Sequence, residues 1–306
     1  MPEILIIEPP KETKSIKGCW SAGFPIHKGE SNNSLNYATV YANKNSIIPD
    51  VKIINKDYAN FAKTLTTAGF KLTKLPFPKE LNDPDNLHHD AIFVRDAGLM
   101  TKDYWIKARF SAKDRQAEAE VHAKTISKKF NKKIIELPKD SFLEFGEVFY
   151  LKTKDKTYYF GGVSRSNKQA HDFVKSILKP DTYILIESEG YHLDTVFSPV
   201  INKNNELVAL ILTKGMIAEK SLKELKNLGL EIIYVDSTDS SGEGKTLGNY
   251  AINTLVAPGI LANCSKFETK GIEERLETLE IKRFVSPMTY HRFAGGSYHC
   301  LTNEIN

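Results

Sequence analysis

Short apolar runs alternate along this chain with stretches of helical periodicity. Runs at residues 4–7, 91–94, 148–151, 157–160, 183–186, 207–212, 231–235 and 253–256 have the length and bounding turn residues of strands. Between several of them, apolar positions recur at helical spacing over 58–68, 112–130, 168–178, 217–228 and 271–279, which predicts helices. Two pairs of runs, 148–151 with 157–160 and 197–200 with 207–212, are joined by short turns rich in Lys, Asn and Asp and read as hairpins. Helices mixed with hairpins fit neither a doubly wound sheet nor an eight-fold barrel. A helix-plus-hairpin unit of roughly 60 residues would fit about five times, by element order rather than by repeated sequence. No Pro/Gly/Ser-rich linker interrupts the pattern, so residues 1–306 are expected to form one α/β domain.

Composition narrows the class. With 306 residues, 41% of them hydrophobic, the chain can bury a sizeable core. Lys and Arg number 42 against 38 Asp and Glu, and the lysines are spread along the chain, so no basic stripe for nucleic acid or a membrane surface emerges. Met1-Pro2-Glu3 gives the start no basic leader before a long apolar stretch, and a cytoplasmic protein is the expectation. Cys19, Cys264 and Cys300 form an odd set without Cys-x-x-Cys spacing, which argues for free thiols rather than disulfides or structural zinc.

Four motifs carry chemistry. In Ala294-Gly295-Gly296-Ser297-Tyr298-His299-Cys300, two glycines permit a tight path and leave amide donors near a thiol, although a terminal strand with Cys300 packed inward reads equally well. In Gly190-Tyr191-His192-Leu193-Asp194-Thr195, an extended backbone would point His192 and Asp194 to one face, as an acid/base pair, two metal ligands or a surface ion pair. Phe93-Val94-Arg95-Asp96 ends an apolar run in charge, and Glu144-Phe145-Gly146-Glu147 brackets a glycine before another run. Alone, either of these last two is more often a solvated turn. Together, the four supply a thiol, an imidazole and several carboxylates. A planar cation with an electrophilic carbon uses all of them: carboxylates bind a guanidinium, a thiolate attacks its carbon, and histidine protonates the departing amine before activating water.

The motifs stand in the order found in the guanidine-modifying superfamily, which includes arginine deiminase, dimethylargininase and amidinotransferase. Arg95-Asp96 resembles its strand-terminal Arg-Asp, and Glu144-Phe145-Gly146-Glu147 its Glu-Gly-Gly-Asp, with Phe145 replacing a glycine and Glu147 the aspartate. His192-Leu193-Asp194 resembles its His-x-Asp, and the segment from Gly295 to Thr302 its glycine-rich stretch ending in the nucleophile. The resemblance implies a pentein propeller of five pseudo-symmetric ββαβ-type units around a polar centre, with no metal or organic cofactor. It implies Cys300 as nucleophile, His192 as acid/base and Glu144 as the carboxylate that orients it, with Asp96 and Asp194 clamping the guanidinium. Either Glu144 or Glu147 would face the site. Arg115 and Arg165 are similar to arginines that hold a substrate's amino-acid carboxylate. The implied partner is a small guanidino substrate, and the oligomeric state stays open, a homodimer included.

Within the family, the acid at Asp194 resembles deiminases and amidinotransferases more than dimethylargininases. Asp96 stands where arginine-to-ornithine dihydrolases carry an amide. Arginine deimination to citrulline and ammonia is therefore the expected reaction, with dimethylargininase, amidinotransferase and a non-catalytic binding pentein as alternatives. Ser241-Gly242-Glu243-Gly244-Lys245-Thr246 mimics a phosphate loop but has Asp239 where the first glycine belongs, and reads as a polar loop. His88-His89 reads as solvent-exposed, Cys19 and Cys264 as packing residues. Gly18-Cys19-Trp20 and Asn32-Asn33 match no motif.

Overall fold

Five three-stranded sheets, each assembled in the same order, organise the computed structural model, which describes residues 2–29, 35–243 and 246–305. In every one an antiparallel pair is extended by a third strand, parallel to its neighbour and reached through a helical crossover, since a parallel partner cannot be joined by a tight turn. Gly98–Met100, Tyr104–Lys107 and Lys133–Ile135 form one, with helix Gln116–Phe130 in the crossover. Val148–Lys152, Thr157–Gly162 and Thr182–Ile186 repeat it around Lys168–Leu178. Phe197–Ile201, Leu207–Thr213 and Glu231–Val235 follow around Glu219–Lys226, then Leu255–Ala257, Ile260–Asn263 and Lys282–Val285 around Ile272–Thr278. The fifth joins distant segments: Asn303–Ile305 pairs antiparallel with Glu3–Ile7, which runs parallel to Lys71–Leu75 beyond helices Tyr37–Lys44 and Val51–Thr67.

Local chemistry explains the helices. Asp50 caps Val51–Thr67 by accepting from Lys52 N, and Ile54, Tyr58, Phe61 and Leu65 bury one stripe of it. Asn167 caps Lys168–Leu178, and left-handed Lys179 ends it. The largest apolar cluster joins the strand Glu3–Ile7, Trp20, Phe61, Phe93 and Tyr298, so the amino-terminal segment packs against the turn that carries Cys300. A cavity of about 150 Å³ is lined by residues from all five sheets, among them Leu99, Tyr150, Ile201, Val256 and Glu304.

Several expectations are corrected. Residues 91–94 are not a strand: His89–Ile92 is a 3-10 turn in which Ala91 N donates to His88 O, and a fully buried apolar run gives no periodicity to separate the two. The run at 253–256 becomes a strand only from Leu255. Residues 112–115 are not α-helical, Lys113–Arg115 being a 3-10 turn ahead of the helix. His89 is buried, not exposed: its Nδ1 accepts the Trp20 amide at 2.6 Å and its Nε2 meets Asn82 Oδ1 at 3.1 Å. In the phosphate-loop mimic Gly242–Glu243 pairs with Thr246–Leu247, while Gly244 and Lys245, like Asn32-Asn33, lie outside the described residues. Among the described residues no helix is long and apolar enough to cross a membrane.

Candidate active site

The first strand of each three-stranded sheet is preceded by a turn that bears a buried polar side chain. Asp96 precedes Gly98–Met100, and Glu144 with Glu147 precedes Val148–Lys152. His192 and Asp194 precede Phe197–Ile201, Asn253 precedes Leu255–Ala257, and Cys300 precedes Asn303–Ile305. The functional groups thus introduce strands rather than terminate them, which corrects the sequence reading of Arg95-Asp96. Successive turns are also bonded to one another. Arg95 N donates to Cys300 O at 3.1 Å, Phe145 N to Asp96 O at 3.2 Å, Leu193 N to Glu147 Oε2 at 2.8 Å, and Asn253 Nδ2 to Asp194 O at 3.0 Å. His299 N, donating to Asn253 Oδ1 at 3.1 Å, closes the circuit.

Around His192 the geometry is tight. Its Nε2 donates to Glu144 Oε2 at 2.8 Å, and its Nδ1 lies 3.7 Å from Asp96 Oδ1. A β-carbon on Gly146 would stand 2.6 Å from His192 Nδ1 and 2.8 Å from Asp96 Oδ1, so this glycine is what lets the turns approach. Glu144 Oε1 accepts from Ser111 N at 3.0 Å, Ser111 Oγ at 2.8 Å and Arg165 Nε at 3.2 Å. Glu147 points elsewhere: its two oxygens take the backbone amides of Arg165 and Leu193 at 2.7 and 2.8 Å, tying two turns together.

Around Cys300, Sγ–H donates to Asp194 Oδ2 at 3.1 Å and Sγ accepts from Asn253 Nδ2 at 3.3 Å. Asp194 Oδ2 also takes His299 Nδ1 at 2.7 Å. The expected extended His192-x-Asp194 backbone is replaced by a 3-10 turn, Leu193–Thr195, which directs His192 to Glu144 and Asp194 to Cys300. Gly295 is left-handed at φ 90° and packs on Asn36, Gly296 on Phe93, so the glycines carry the chain path. Asp96 Oδ1 and Asp194 Oδ1 are buried without a hydrogen-bond partner among the described atoms.

Arg115 donates to Asp96 Oδ2 at 3.0 Å and through two nitrogens to Glu118 Oε2 at 3.0 and 2.8 Å. Arg165, bonded to Glu144 and Ser111, lies over the Tyr191 ring at 4.6 Å. Both guanidinium groups therefore pair with the protein's own carboxylates here. No three His, Cys, Asp or Glu side chains among the described residues group to hold a metal ion, the set of His192, Asp194 and Cys300 included.

No protein-family model matches the chain. It is 26% identical over 230 residues to a bifunctional arginine dihydrolase/ornithine cyclodeaminase, AgrE, of Nostoc, and 25% over 222 to its counterpart ArgZ of Synechocystis. These alignments span 74% and 71% of this chain but only 31% and 29% of those proteins. The isolated ArgZ amino-terminal domain, solved with a covalent reaction intermediate, superposes over 100% of this chain and 98% of its own at TM-score 0.74 and 19% identity. A DDAH of Pseudomonas aeruginosa, solved as a variant with citrulline, superposes over 99% of both at 0.69 and 16%. The chain shares the fold of these guanidine-modifying enzymes of the pentein superfamily.

Electrostatics separate the two halves of the site. Burial works against charge on His192, but Asp96, Glu144 and Glu147 push its pKa up to about 9, so it stays an imidazolium at neutral pH. Burial also opposes ionisation of Glu144, yet Arg165 and His192 hold its pKa far below the usual carboxylate range. Burial raises Glu147 to about 7, outweighing the pull of His192 and of the two backbone amides it accepts. Burial, then Asp194 and Asp96, push the Cys300 thiol well above its ordinary value, with the Ser297 backbone pulling weakly the other way. The amide-activated thiolate suggested by the two glycines is thus replaced by a protonated thiol. Sequence reasoning missed Asn253, Ser111 and His299; a polar pair, Asn253-Thr254, directly before an apolar run was the available signal.

Proposed function

We propose that the chain is a cysteine-dependent hydrolase of a guanidino substrate, arginine-deiminase-like, converting arginine to citrulline and ammonia. One observation carries the reading. Two buried carboxylate oxygens, Asp96 Oδ1 and Asp194 Oδ1, have no donor among the described residues, one beside the imidazolium of His192 and the other on the carboxylate that holds the Cys300 thiol. A guanidinium brings donors on every nitrogen, and leaving a buried acceptor unsatisfied costs about 1–3 kcal/mol. The same cation would offset the carboxylates that keep the thiol protonated. As the cation binds, the Cys300 thiol releases its proton to solvent and the thiolate adds to the central carbon; His192 gives its proton to the departing nitrogen, and ammonia leaves. Neutral His192, oriented by Glu144, takes a proton from water, which attacks the S-linked carbon and releases citrulline and the thiol. The five sheets and the circuit of turn-to-turn bonds support a five-unit propeller, a single catalytic domain over residues 1–306, around this centre.

The named activity of AgrE and ArgZ favours a second reading, an arginine dihydrolase, in which the ureido product is hydrolysed again to ornithine. The acid at Asp96 supports deimination. Purified protein incubated with arginine and with asymmetric dimethylarginine, scored for citrulline, ornithine, ammonia and dimethylamine, separates the readings. Citrulline from arginine, abolished by Cys300→Ser, is expected; ornithine or preferential release of dimethylamine overturns the assignment.

A further inference from the structure

The catalytic side chains are enclosed. Glu144 and Asp194 expose 0% of their surface, His192 1%, Cys300 2% and Asp96 3%, so a covering segment must move before a substrate arrives. Residues 18–29 lie against this centre. A β-carbon on Gly29 would meet Ser111 Oγ at 3.1 Å and Arg165 Nε at 3.3 Å, two of the donors that hold Glu144. The His27 carbonyl accepts from Arg165 Nη1 at 3.2 Å.

The His27 ring is held from the other side. Its Nε2 lies 3.2 Å from buried Asp90 Oδ2, and its Nδ1 bonds Asp114 Oδ2, whose side chain is 56% exposed. Asp90 Oδ1 accepts the Trp20 indole N–H at 2.6 Å, and Trp20 N donates to His89. The Gly18-Cys19-Trp20 and His88-His89 segments, which the catalytic reading leaves unused, thus meet in one network. Behind it Arg115 donates to Asp90 O at 3.4 Å and to Asp96 Oδ2.

We propose that His27 is a positioning residue: clamped between Asp90 and Asp114, it latches residues 18–29 over Arg165 and thereby fixes the Glu144–His192 pair. The inference rests on the catalytic reading of that pair. The charged groups facing His27 are Asp90, Asp114 and Arg115. Burial opposes its charge, but Asp114 and Asp90 push it up to about 9. Because the pKa is raised on closing, the latch is at full strength below the ordinary histidine range and is lost as pH rises through about 9.

Trp20 reports the latch without any substrate: it is bonded to Asp90 and His89 within the latch network, whereas the other tryptophan, Trp105, equally buried, sits in the strand Tyr104–Lys107. Acrylamide quenching is measured on Trp105→Phe protein and, should that substitution unfold it, as a difference in the two-tryptophan protein. His27→Asn and Asp114→Asn should each raise quenching, with the open–closed equilibrium displaced about ten- to a hundred-fold, the range for one hydrogen bond to a charged group. Quenching of the parent should rise as pH passes about 9, and at lower pH in Asp114→Asn. With arginine, His27→Asn should lower kcat/KM and move its basic limb to lower pH. Unchanged quenching and an unchanged midpoint in both variants overturn the latch, whatever turnover does. Altered quenching in a protein that does not act on arginine supports the latch and overturns the substrate reading instead.

Discussion

Asp194→Asn should make Cys300 easier to alkylate and the enzyme slower. Asp194 Oδ2 lies 3.1 Å from Sγ, and hydrogen bonds from His299 and Cys300 keep its pKa low although burial opposes this, so it is a carboxylate at neutral pH. A thiolate and a carboxylate at that distance repel by about 5 kcal/mol at an effective dielectric of about 20, and relaxation leaves about half of it, roughly two pK units. Asparagine keeps the shape without the charge: at the Oδ2 position its amide oxygen accepts from His299 Nδ1, or its nitrogen donates to sulfur. The thiolate fraction should rise about 100-fold, and because nucleophilicity falls with pKa at a Brønsted slope of about 0.5, alkylation should accelerate about tenfold. In turnover the guanidinium loses a charged partner, which lowers kcat/KM by about ten- to a hundred-fold. The assay is iodoacetamide inactivation between pH 6 and 8, roughly the window below the ordinary thiol pKa, in a Cys19→Ser, Cys264→Ser background, beside kcat/KM for arginine. Access to the buried thiol is common to both proteins and cancels in the ratio. Alkylation that stays the same or slows would refute the idea that Asp194 holds the thiol protonated.

Three further outcomes are expected. Glu144→Gln should move the basic limb of kcat/KM down by about one to two pH units from about 9, because a hydrogen bond between charged groups worth about 1.5–3 kcal/mol no longer stabilises the imidazolium; an unmoved limb would mean another proton donor. Asn253→Ala removes the amide that reaches Sγ at 3.3 Å and the brace to His299 N, and should lower kcat at least about tenfold with KM little changed, whereas an equal loss confined to KM would place Asn253 on the substrate instead. Glu147, whose folded pKa of about 7 exceeds its ordinary 4.5, binds an extra proton in the folded state between those values, so stability should fall as pH rises through that window, by about 3 kcal/mol in total. Urea unfolding at several pH values should show this slope in the parent and not in Glu147→Gln.

What the sequence by itself determined is the reagent set and the rhythm of the fold. The helix-plus-hairpin order is visible because hairpins at 148–160 and 197–212 and helices such as Lys168–Leu178 are written in local periodicity and turn residues. Cys300, His192, Asp194, Glu144 and Asp96 stand out because such residue types beside glycines and apolar runs are chemically loaded. Short strands such as Gly98–Met100 and Lys133–Ile135 stayed hidden, since three residues show no period. Only the tertiary structure decided which group serves which neighbour. Glu144 meets His192 while Glu147 ties backbone amides, a choice made by how closely the turn Phe145–Glu147 packs, through Gly146, on His192 and Asp96. Asn253 joins the thiol across 47 residues, and Trp20 and His27 reach Asp90 across 70 and 63. Such contacts leave no local trace, because a hydrogen bond between distant turns is fixed by how the sheets pack and not by the spacing of the residues that make it.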